Sequence, residues 1–229
     1  YQSLEKFLVE SNNEFGKDKL FNRSNHNEKL TLLTYLTNCL YKTKKYKQSL
    51  RYSEELLSGM KEYDCLLHDK YLFYYYNILV LNFAKTDKDK ALDYLNKASR
   101  SEVIKKLPSY NAFIYLNRSL IYYYEDNYKE SQKNIARLIM QEDFLLLDKS
   151  FQLKILVTEL MIRMLVSNKN LNDKITSINK NYKSLLLEEN YIREKKMIDL
   201  IFKKISDGDV VDNKEDLLSS MSDSDSEDI

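Results

Sequence analysis

The run YNAFIYLNRSLIYYYEDNYKESQKNIARLI, from Tyr110 to Ile139, constrains this chain's fold more than any other stretch. Phe113, Leu116, Leu120 and Tyr123 recur at helical spacing and mark one face of a helix. Glu125, Asp126 and Asn127 break the pattern, and Tyr128 opens a second helix with Ser131, Ile135, Leu138 and Ile139 on its inner side. Small Ser131 falls where the two helices approach most closely. Neither helix of such a hairpin can bury its apolar face alone, so it needs neighbours of the same kind.

The rest of the chain supplies them. One helix is expected from about His26 to Thr43, burying Leu30, Leu33, Tyr35, Leu36 and Leu40, and its partner from Tyr46 to Met60. Asn25 and Glu28, and later Thr86 and Asp89, have the spacing of a capping box. Helix pairs are expected near 26–60, 68–98, 108–140 and 147–187, with capping helices over 1–15 and 190–205 and Pro108 in the first turn of its helix. The small or apolar anchors of the second helices, Ser49, Ala91, Ser131 and Ile175, are spaced by 42, 40 and 44 residues. That spacing suits pairs of helices of four to five turns. Three glycines and one proline in the whole chain argue against sheet-rich and open α/β folds, which spend those residues on turns. The expected fold is therefore all-α, an α-solenoid of antiparallel helix pairs over residues 1–206.

Residues 207–229 differ in kind. They hold nine acids against Lys214 alone, a net charge of −8, so the formal +1 of the chain leaves +9 on residues 1–206. This acidic, serine-rich tail is expected to be disordered, with a short helix around 214–221. Ser222, Ser224 and Ser226 lie between acids and suit an acid-directed kinase. Asp223, Asp225 and Glu227 alternate as in a calcium loop, but Asp228 occupies the glycine place and no distal glutamate follows.

The paired helices resemble the tetratricopeptide-repeat family. The second-helix feature of that family, Tyr-x-x-Ala-x-x-x-Leu-x-x-Ala, is matched by Asp87…Ala91…Leu95…Ala98. It recurs as Tyr128…Ser131…Ile135…Leu138 and Tyr46…Ser49…Ser53…Leu56. Leu33, Leu36, Thr37 and Leu40 match the first-helix side, as do Tyr115, Ser119 and Tyr122. The likeness covers residues 26–140 well and 147–205 poorly. The family's usual unit is about 34 residues, shorter than the spacing here, so other helix-pair solenoids remain an alternative label. The resemblance implies a right-handed superhelix that binds peptides or proteins on the concave face of its first helices. Carried over by motif, that groove takes Thr34, Asn38, Tyr41 and Lys42 from the first pair and Tyr76, Val80 and Phe83 from the second. The third pair adds Leu116, Asn117, Leu120, Tyr123 and Tyr124. The family's carboxylate clamp is matched by Asn38, Asn77 and Asn117, but Thr34 stands where it wants a lysine.

Two readings of the aromatic residues stand. A stacked helix buries tyrosines, and tyrosine also gives a binding surface large contact area at little ordering cost. The expected function is a non-catalytic scaffold or adaptor for an unknown protein or peptide. The second reading is a nucleic-acid or regulatory module using Arg51, Lys90, Lys97, Arg100, Lys105 and Lys106 as phosphate contacts, its basic body masked by the acidic tail in an intramolecular contact. No glycine-rich phosphate loop, HExxH or nucleophile elbow accompanies His26 or His68, so no catalytic residue, cofactor or metal is expected. Cys39 and Cys65 sit among apolar residues and are expected to be small buried thiols. No run is apolar enough to insert in a membrane. A cytoplasmic location is the expectation, although a removed leader would leave no trace.

Overall fold

The computed structural model describes residues 2–17, 20–166, 170–208 and Glu215. Among them every regular element is a helix. The chain divides into two compact units, Tyr1–Leu107 and Pro108–Ile229.

In the first unit, α1 (Gln2–Lys17) lies on α2 (His26–Lys42), which pairs with α3 (Tyr46–Met60). After the short turn α4 (Glu62–Cys65), α5 (His68–Thr86) pairs with α6 (Lys88–Arg100), and the single turn α7 (Glu102–Lys105) closes against both. Helix α5 packs on α2 and on α3, so the second hairpin docks on the first. The junction is a small polar knot. Ser49 Oγ on α3 donates to the Thr37 carbonyl of α2 at 2.8 Å and accepts from Asn82 Nδ2 of α5 at 3.0 Å. Thr37, Ser49 and Asn82 have almost no exposed surface. A hydroxyl small enough to sit between three helices thus satisfies the Thr37 carbonyl and the Asn82 amide nitrogen, while Asn82 Oδ1 stays buried without a partner among the described residues. Gly59 serves the same α2–α3 approach, since a Cβ there would stand 2.8 Å from Leu30 Cδ2.

In the second unit, α8 (Tyr110–Tyr124) and α9 (Tyr128–Ile139) form the hairpin read first in the sequence. Ser131 Oγ donates to the Ser119 carbonyl at 2.8 Å, Ser119 Oγ to the Ser131 carbonyl at 2.9 Å, and the hydroxyls are 3.1 Å apart. Ser119 and Ser131 are twelve residues apart, as are Thr37 and Ser49. The two hairpins therefore cross at the same register. Next, α10 (Lys149–Met164) packs on α9, then on α11 (Leu171–Asn181) and α13 (Ile192–Asp207), with the turn α12 (Lys183–Leu186) between the last two. One core joins Ala112, Ile135, Leu138, Phe144, Ile155 and Ile162 across α8, α9 and α10. A second runs through Leu153, Leu160, Ile175, Ile178, Met197 and Ile201.

Several local expectations are corrected. Tyr35 is not buried with the leucines but 61% exposed. On α2 it stands about 200° around the axis from Leu33, at roughly 100° per residue, which points it away from the core side. Cys39 is buried, but Cys65 is exposed. It belongs to three successive non-glycine residues, Tyr63, Asp64 and Cys65, with φ of 53°, 59° and 61°. Each costs about 1–2 kcal/mol relative to a right-handed conformation. The caps also shift. Asn22 and Asn25 form the capping box ahead of α2, and Asp87 in place of Thr86 caps α6 by accepting from the Lys90 N–H. Pro108 precedes α8, whose N-cap is Ser109. Phe202 of α13 is 51% exposed. The acidic tail, apart from Asp207, Gly208 and Glu215, lies outside the described residues.

Candidate functional site

The neighbouring helices α2 and α5 build the most distinctive surface of the first unit. Tyr71 of α5 is buried, and its hydroxyl lies 2.7 Å from Thr31 Oγ1 of α2. It sits 3.0 Å from both the backbone oxygen and Oδ1 of Asn27, to which it donates. Lys70 Nζ donates to the same Oδ1 at 2.6 Å and lies over the Tyr71 ring. These contacts fix the two helices side by side. Burial pushes the Tyr71 phenol up, Thr31 opposes the shift, and Tyr74, Glu28 and Tyr35 add to it. Tyr74 packs on the anchored ring, Tyr35 stands one helical turn from Thr31, and both remain in water, at 45% and 61% exposure. Tyr74 is held by ring contacts to Tyr71 at 6.0 Å and Phe73 at 5.7 Å. Two large amphipathic rings are thus presented from rigid helices at little further ordering cost.

The residues carried over from the family groove fall differently. Thr34 is buried and donates to the Leu30 carbonyl, and Val80 has no exposed surface. Neither offers a side chain to a partner in this conformation. Asn38 Nδ2 donates to the Thr34 carbonyl one turn back, and Asn117 Nδ2 to the Phe113 carbonyl. Both amides bond their own helices. Tyr76 is half-buried beside Tyr75, and Phe83 stacks on Tyr94 of α6 at 5.4 Å. Tyr41 meets Tyr46 across the α2–α3 turn, and Lys42 is exposed at the end of α2. In the second unit Leu116 and Tyr123 pack against the α8–α10 core, Leu120 is half-buried, and Tyr124 is 38% exposed.

The sequence reading missed Tyr35, Tyr71 and Tyr74. A helical wheel would have separated Tyr35 from its leucines. Nothing in the tyrosine run 74–76 marks Tyr74 as its outward member, because α5 is apolar nearly all round.

Burial pushes the phenols of Tyr75 and Tyr123 up to about 12. Around Tyr123 the carboxylates of Glu215 and Asp126 and the Tyr124 phenol add to the effect. Folding thus holds protons that the unfolded chain releases near pH 10. The stability this gives is complete below about pH 10 and lost as pH rises towards 12. Ultraviolet titration is expected to show two tyrosines ionising last, together with unfolding. Simultaneous ionisation of all tyrosines near pH 10 in the folded protein would refute it.

The histidines sit apart from this surface. His26 is buried, edge-on to Tyr63 at 4.8 Å, with Nδ1 3.7 Å from Glu62. His68 Nδ1 lies 3.2 Å from Asp69 Oδ1 at an exposed helix start. Among the described residues no three His, Cys, Asp or Glu side chains converge as metal ligands, and no helix is long and apolar enough to cross a membrane.

Compared with known protein families, curated proteins and solved structures, the chain matches none at a significant level. The geometry of its own residues therefore carries the functional reading.

Proposed function

We propose that this chain is a non-catalytic protein-interaction module that takes a peptide or helix of a partner on the α2/α5 face. The observation that carries the reading is the exposure of Tyr35 and Tyr74 around the anchored Tyr71. Aromatic residues fixed on a rigid surface are the usual anchors of protein interfaces, and grooves between helices take amphipathic segments. The docking of α5/α6 on α2/α3, and the matched crossings at Thr37/Ser49 and Ser119/Ser131, support a helix-pair repeat of tetratricopeptide type. The nucleic-acid reading is weaker. Arg51, Lys90, Lys97 and Lys105 each pair with an acid three or four residues away, so these cations are partly spent locally.

Capture of a partner from native extract tests the proposal. Replacing Tyr35 and Tyr74 together by alanine is expected to weaken capture on the order of 30-fold or more, with helicity unchanged. Undiminished capture by the folded double variant would end the assignment. Binding lost steeply with added salt and transferred to nucleic acid would favour the second reading.

The proposal also gives the acidic tail an intramolecular contact at the Tyr123–Tyr124 pair, supported by the influence of Glu215 on the Tyr123 phenol. Ending the chain after Gly208 is expected to bring the Tyr123 ionisation down. An unchanged Tyr123 titration would remove the contact.

A further inference from the structure

A cleft of about 640 Å³ opens in the first unit between α1, α2 and α3. Its α2 wall is Lys29 and Leu33, which stand about 200° around the helix from Thr31 and Tyr35, at roughly 100° per residue. The cleft is therefore a separate surface from the tyrosine face, and its assignment does not rest on that reading. Its volume falls within the roughly 300–1,000 Å³ of ordinary ligand sites.

The lining is apolar at one end and charged at the other. Phe15 and Phe21 meet edge to face at 5.6 Å and, with Leu33, form the apolar part. Three carboxylates, Glu54, Glu55 and Glu62, face two cations, Lys29 and Arg51. Lys29 is already committed, with Nζ 2.6 Å from Glu62 Oε1. Arg51 is drawn over the Tyr52 ring, 4.5 Å from its centroid, and reaches Glu55 only at 4.0 Å. Among the described residues Glu54 has no ion-pair partner within 4.0 Å. Among the described lining residues one unit of negative charge is therefore left over, and it lies at Glu54 and Glu55. Burial at the cleft wall pushes the Glu55 carboxyl up against the pull of Arg51 and Lys29, while its side chain keeps 47% of its surface exposed and so open to a ligand.

We infer that this cleft binds a basic peptide segment, with an arginine or lysine side chain at Glu54 and Glu55 and an apolar neighbour against Phe15, Phe21 and Leu33. Arginine suits the site best, because its planar fork can bond two carboxylates at once.

Isothermal titration of the full chain with three acetylated, amidated tripeptides, Leu-Arg-Leu, Leu-citrulline-Leu and Leu-Glu-Leu, tests it. Citrulline keeps the shape of arginine without its charge. Saturable binding is expected for Leu-Arg-Leu, at least tenfold weaker binding for the citrulline peptide, and none for Leu-Glu-Leu. The doubly substituted Glu54→Gln/Glu55→Gln chain is expected to lose at least tenfold towards Leu-Arg-Leu. Both side chains are exposed, so this variant should fold, as circular dichroism will show. The Tyr35→Ala/Tyr74→Ala chain should bind the tripeptide unchanged, which separates the fate of this site from that of the tyrosine face. No saturable binding of Leu-Arg-Leu, equal binding of the citrulline peptide, or binding unaffected by the double glutamine substitution would each overturn the assignment.

Discussion

Replacing Ser131 by leucine is expected to destabilise the second unit by about 3 kcal/mol, read as a lowered urea midpoint with little change of slope. Ser131 and Ser119 are fully buried and touch where α8 crosses α9. Three further carbon atoms cannot enter that crossing without forcing the helices apart, and overpacking alone costs about 1–3 kcal/mol. The reciprocal hydroxyl–carbonyl bonds, at 2.8 and 2.9 Å, are lost or bent as well. Alanine separates the two terms. Ser131→Ala removes a hydroxyl without adding bulk and should cost about 1 kcal/mol. Because each hydroxyl also contacts the other, Ser119→Ala and Ser131→Ala should combine to less than the sum of their separate effects. A leucine variant as stable as the alanine variant would show that the helices can separate freely, and the close crossing would lose its structural meaning.

How much of this was legible follows from which physical quantity the sequence records. Helical periodicity records whether a position faces a neighbour, so the α8/α9 hairpin and the anchors Ser49, Ala91, Ser131 and Ile175 were placed correctly, all four being buried. A small residue in an otherwise bulky stripe is a signal of close approach that survives without any alignment. Capping was less legible because competing side chains lie one residue apart. Thr86 and Asp87 can both cap, and only the extended backbone at Asp87 decides between them. The interaction surface was least legible. Tyrosine is at home both in a core and at its edge, so Tyr35 was placed among the leucines and Val80 on the surface, the reverse of what is found. The family pattern did not show which side of each helix reaches water, because rotations of individual helices depend on packing partners far away in sequence. The acid-rich cleft was invisible for the same reason. Glu54 and Glu55 look like ordinary solvated helix residues until Phe15 of α1 and Phe21 of the following connection come alongside.

Glu159→Ala is expected to cost about 3 kcal/mol, the lower end of what breaking a buried ion pair removes. Glu159 is 2% exposed, with Arg163 Nε on one carboxylate oxygen at 2.7 Å and Lys174 Nζ on the other at 2.9 Å. The first bond lies within α10, and the second ties α10 to α11. Without the carboxylate both cations face an apolar junction, but Arg163 and Lys174 keep 23% and 32% exposure and can turn towards water, which limits the loss. Glutamine, which retains the shape and one accepting oxygen, should cost roughly half as much. Leucine should recover more still, since an apolar side chain of similar size asks nothing of the freed cations. Urea unfolding of the three variants reads this order, and a loss below about 1 kcal/mol for alanine would reduce the cluster to an ordinary surface pairing. The same variant bears on function. Its damage falls in the second unit, whereas Tyr35, Tyr71 and Tyr74 belong to the first. Partner capture should therefore persist in Glu159→Ala under conditions where the first unit stays folded. Capture lost there, with the Tyr35 and Tyr74 rings intact, would move the binding surface out of the α2/α5 face and into the α8–α13 half of the chain.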